Sequence, residues 1–138
     1  MCLYSKQILP RRATKDIVCY KRMVKLSPTL YVTPYQNFWV YRKDFNRVLH
    51  PKGKPIFLHH RNWTDFLYTI VRGGYFHAYP DCNYATQMLA HDETIVKCII
   101  PKGALYWKSA YEMSGTACEI ASDRMIFVEE LCVQRIYP

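Results

Sequence analysis

The residues best suited to chemistry gather in and around "RGGYFHAYPDCNYATQ", positions 72 to 87. Tyr75, His77 and Tyr79 alternate there with Phe76 and Ala78, so a strand would set the histidine between two tyrosines on one face. Pro80 breaks that strand, and Asp81 can accept hydrogen bonds from the first free N–H groups of a following helix. A strand end beside a helix start collects N–H donors and suits an anion, although the capping aspartate already takes some of them. A histidine inside an aromatic strand can equally be a hydrogen-bonded structural residue. The expected ligand-binding residues are Arg22, His77, Tyr79 and Lys102. In that arrangement the cations attract phosphate or acidic groups and the tyrosines stack on a base or ring. No catalytic residue is assigned.

Other constellations are missing from the sequence. There is no P-loop, no GxGxxG and no GxSxG elbow, so the common phosphate cradles and the serine-hydrolase turn are excluded. The six cysteines, at 2, 19, 82, 98, 118 and 132, form no CxxC pair of the kind zinc ribbons and redox motifs use. Several lie in apolar runs such as "VKCII", where a thiol behaves as a small buried hydrophobe. His59 and His60 are neighbours and would point to opposite faces of a strand. No metal and no cofactor is expected.

Charge is divided unevenly. Residues 1–61 hold 13 Lys/Arg against Asp16 and Asp44, a net of +11. Residues 62–138 hold 6 against 9 acidic residues, a net of −3, which gives the overall +8. A basic half fits nucleic acid or a phosphorylated small ligand, and it also fits a solvated surface. No apolar run approaches the roughly 20 residues that cross a bilayer, and the N-terminus lacks the order of a secretory signal. A cytoplasmic protein without membrane contact is the expectation.

The elements that would position these residues follow from periodicity. "DIVCYKRMVKL" (16–26) reads as a strand, and "LYVTPYQNFWVY" (30–41) as short strands interrupted at Pro34. "NWTDFLYTIVRGG" (62–74) carries Trp63, Phe66, Leu67 and Ile70 at helical spacing, with Asn62 to cap it and glycines to end it. A second helix follows Asp81, with Tyr84, Ala85, Met88 and Leu89 on one stripe. "TIVKCII" (94–100), a "PKG" turn (101–103) with its proline at the position that needs φ near −65°, "ALYW", and "MIFV" with "LCVQRI" complete the strands, and "KSAYEMSGTA" reads as a loop. The expected architecture is a single compact α+β domain over residues 1–138, a mostly antiparallel sheet with two or so helices.

Three segments carry a resemblance: "GYFHAY" before a helix, "VKCIIPKGALYW" after it, and "CEIASDRMIFVEEL" near the end. Together they resemble a group of small proteins from gut anaerobes and their phages, with a GFH-helix, a strand-PKG-x-Y and a serine–aspartate pair before a closing strand. The resemblance implies a shared fold and, through related accessory modules, a binding or structural role. The element order is also similar to a pared-down ADP-ribosyltransferase. That likeness implies Arg22 or Tyr20 on an early strand, His77 or Tyr79 in the middle, and Glu129 or Glu130 late, acting on NAD. The chain lacks that fold's Ser-Thr-Ser and His-Gly-Thr elements. Three classes therefore stand: a binding module for a nucleotide or nucleic acid, an NAD-using transferase, and a protein-interaction module, the last suited to a phage-borne gene.

Overall fold

The computed structural model describes residues 3–34, 38–54, 56–61, 67–113 and 116–131. The described chain is built on strands. In order these are Leu3–Ser5 (β1), Arg11–Arg12 (β2), Ile17–Ser27 (β3), Leu30–Val32 (β4) and Trp39–Tyr41 (β5). After a 3-10 turn at Arg42–Asp44 come Val48–Leu49 (β6), Ile56–Arg61 (β7), Leu67–Arg72 (β8) and Phe76–Ala78 (β9). The helix Cys82–Gln87 (α1) precedes Glu93–Ile100 (β10), Leu105–Lys108 (β11) and the pair Glu112–Met113 (β12) and Thr116–Ala117 (β13). Ile120–Ser122 (β14) and Met125–Leu131 (β15) close the described chain.

All strand pairs are antiparallel and fall into a six-stranded sheet (β5-β4-β3-β10-β15-β6), a four-stranded sheet (β2-β11-β14-β9), a three-stranded sheet (β1-β8-β7) and the β12-β13 hairpin. Tyr20 and Tyr79 join the larger sheets, exchanging both backbone hydrogen bonds at 2.8 Å, and Ala13 extends the β2-β11 pair by bonding Gly103 and Ala104. The four-stranded sheet lies between the other two. Phe76, Ala78 and Ile120 pack with Cys19, Met23, Val96, Cys98 and Phe127 of the six-stranded sheet. On the other side, Tyr75, Trp107 and Ala121 pack with Leu3 and Val71 of the three-stranded sheet.

This is an all-β fold, which corrects the α+β expectation. The helix expected at 62–74 is the cause. Residues 67–72 form the central strand β8, bonded on one side to β1 and on the other to β7, while 62–66 lie outside the described residues. "TIV" in that stretch is β-branched and loses side-chain freedom in a helix but not on a pleated surface. Two partner strands then decide the matter. The second expected helix is present as α1, one and a half turns long, with Asp81 accepting from the N–H groups of Asn83 and Tyr84 at its start. It covers the outer face of the six-stranded sheet, where Ala85, Tyr84 and Leu89 meet Tyr20, Ile95 and Leu131. The expected loop at "KSAYEMSGTA" contains the β12-β13 hairpin. Among the described residues no helix is long and apolar enough to cross a membrane.

Candidate functional site

Alternation along β3 separates two chemistries. Cys19, Lys21 and Met23 point into the core, while Tyr20 and Arg22 point outward beneath α1. On the outer side Arg22 Nη1 pairs with Glu93 Oε1 at 3.2 Å and donates to the Met88 carbonyl at 2.8 Å, and its guanidinium carbon lies 5.7 Å from the Tyr79 ring centroid. The Arg22 and Glu93 side chains are only 10% and 4% exposed, so this ion pair is closed to a large anion. Tyr79 in turn meets Tyr84 edge-on, with ring centroids 5.5 Å apart.

Of the four expected residues, then, Arg22 and Tyr79 are brought together. His77 lies on β9, two residues before Tyr79, but its ring is buried and its nitrogens have no hydrogen-bond partner among the described residues. Burial, with the Lys21 charge adding to it, pushes the imidazole down to about 3. It is neutral at physiological pH and cannot hold a phosphate by charge. Lys102 is elsewhere. It stands exposed in the turn after β10, beyond the β3 end where Ile17 faces Ile100, and Arg22 lies about 17 Å farther along β3. Its own N–H donates to Asp16, and the neighbouring Gly103 carbonyl accepts from Arg12 and Arg124.

Burial also raises the Tyr79 phenol to about 12, with its hydroxyl unpartnered among the described residues. The Glu119 carboxyl, half-buried nearby, is raised by burial while Arg22 draws it partly back. Nothing in the sequence marked Glu119, a single acid ahead of an apolar strand. The late glutamates fall apart from this group. Glu130 bonds Lys25 and the Tyr31 hydroxyl beside the inner-face residue Val96, its partner on β10. Glu129 is exposed opposite Lys97. The Arg22 group therefore consists of a cation already paired with Glu93, the neutral Tyr79 phenol, and a Glu119 carboxyl that burial raises. Among the described residues no cluster of His, Cys, Asp and Glu has the form of a metal site.

Open cations lie at the other end of the six-stranded sheet. On its edge strand β5, Trp39 is 52% and Tyr41 43% exposed, while Val40 between them is 1% exposed and packed in the core. The Lys43 ammonium sits 5.5 Å over the Tyr41 ring and that of Lys52 5.8 Å over Phe38. Residues 39–54 hold five Lys/Arg and the single acid Asp44, which pairs with Arg47 at 3.5 Å. Among the described residues no carboxylate lies within ion-pair distance of Lys43 or Lys52. The signal was present in "FWVYRKD", two aromatics two residues apart followed by two cations. Comparison with protein-family models, with curated proteins and with solved structures returns no match.

Proposed function

We propose that the protein is a binding module for nucleic acid and that it takes the phosphate backbone on the cationic segment of residues 39–54, which begins on the edge strand β5. One observation carries the reading: Lys43 lies over the Tyr41 ring and Lys52 over the Phe38 ring, in and beside the edge strand β5, whereas Arg22 is closed off by Glu93. The charge division of the chain supports it, since this edge belongs to the +11 half. Cations held by rings and not by carboxylates keep their charge available to phosphate, and binding releases the counterions condensed on the polymer.

The test is fluorescence anisotropy with a labelled oligonucleotide of about 15 nucleotides, a length at the upper end of common single-strand site sizes. Affinity should fall by orders of magnitude between roughly 50 and 200 mM salt. Lys43→Ala and Lys52→Ala should each flatten the logarithmic salt slope by about 0.7. Absence of binding at the lower salt would overturn the reading.

A further inference from the structure

We infer that the nucleic acid taken by this edge is single-stranded and is gripped by stacking on Trp39 and Tyr41. The inference rests on the reading above and adds which form of the polymer is bound and by which groups. The alternation of β5 stands both rings on the same side of the strand, half exposed, with Val40 anchoring the backbone from the other side. Behind them on β4, Val32 faces Trp39 and Leu30 faces Tyr41, giving the rings an apolar floor. On the next strand Val24, half-buried, faces Val32.

Spacing decides what fits. Residues two apart on a strand are separated by about 6.8 Å, and stacked bases repeat every 3.4 Å or so. The interval between the two rings is therefore about two stacking distances, room for one flat ring between them or for two bases drawn apart. Either arrangement needs bases whose faces are free. In a duplex those faces are covered by neighbouring pairs, leaving only the backbone for Lys43 and its fellow cations. Indole and phenol faces also read no base-edge pattern, so tolerance of sequence is expected.

Three probes separate the possibilities: a thymidine oligonucleotide of about 15 residues, the same strand annealed to its complement, and inorganic polyphosphate of similar charge. The single strand should bind tightest. Trp39→Ala and Tyr41→Ala should each weaken it by roughly 5- to 150-fold, the range for loss of one stacked base, and Trp39→Ala should leave polyphosphate affinity unchanged. Trp39→Phe, which keeps a ring, should recover most of the loss. Both side chains are half exposed, and circular dichroism is the check that the variants fold. Equal affinity for all three probes, with Trp39→Ala behaving as wild type, would overturn stacking and leave polyanion binding standing. Failure of every probe would remove both, and a concentration-dependent dimer lost in Trp39→Ala would reassign the rings to a contact between two copies of the chain.

Discussion

The Lys21 ammonium donates a 2.6 Å hydrogen bond to the main-chain oxygen of His77. Just past β9 the N–H and C=O of Tyr79 pair with Tyr20, and the His77 carbonyl, two residues earlier, opens toward the same side. The lysine reaches in from the core face of β3 and satisfies that carbonyl with its side chain, its ammonium 5.9 Å from the Phe76 ring centroid. A charge is thereby held inside an aromatic interior, and the site answers to pH.

Burial lowers Lys21 from the model-peptide value of 10.5 to about 8. The unfolded chain keeps its proton up to the higher value, so between the two the unfolded state binds more protons and stability rises with pH. Lys21→Met should flatten that rise, as read from urea midpoints on either side of the window. A variant with the wild-type pH slope would show that another group is responsible.

His77 gives a second window, on the acid side. The unfolded imidazole takes a proton near 6.5 and the folded one only near 3. Stability is therefore complete above the upper value and declines as pH falls through the interval, by on the order of 5 kcal/mol. His77→Phe should remove this component. The measurement is the wild-type-minus-variant difference in unfolding free energy from neutral pH to about pH 4, which must shrink in acid.

The Arg22–Glu93 pair holds the first strand of the sheet core to the end of α1, since Glu93 Oε1 also accepts the Ala90 N–H at 2.7 Å. Glu93→Ala leaves a guanidinium in a nearly closed site and should cost about 3 kcal/mol. Glu93→Gln keeps the bond to Ala90 and should cost less. Guanidinium-chloride midpoints for the two variants check the order, and equal losses would deny the ion pair its role.

Gly103 occupies the third position of the Pro101–Ala104 turn with φ of +92°, and nothing stands within 4 Å of where a Cβ would be. Gly103→Ala should therefore cost only the backbone strain, about 1 to 2 kcal/mol. A thermal melt with no shift would mean that the turn relaxes freely.

Short-range patterns were readable where they had one solution. The alternation of "IVCYKRM", the break at Pro34, the Asp81 cap and the turn ending at Gly103 each appear where the residues place them. The turn differs in one detail: Pro101 stands at its first position, supplying the carbonyl that Ala104 bonds at 3.0 Å, and so is not the central residue preset by its φ. The segment at 67–72 had two solutions, because Leu67 and Ile70 fit a helical stripe while its β-branched residues fit a strand. Pairing with β1 and β7, both distant in the chain, chose between them.

The amino-acid order by itself determined the charge division, the shared face of Trp39 and Tyr41, and the strand carrying His77, because these depend on composition or on a two-residue repeat. Tertiary packing decided which of those groups meets solvent. It closed Arg22 under α1 with Glu93, laid the three-stranded sheet over the face that bears Trp107, and turned the histidine ring inward. Strand alternation assigns a side chain to a face. Whether another layer covers that face depends on contacts between segments far apart in sequence, and no local pattern encodes them.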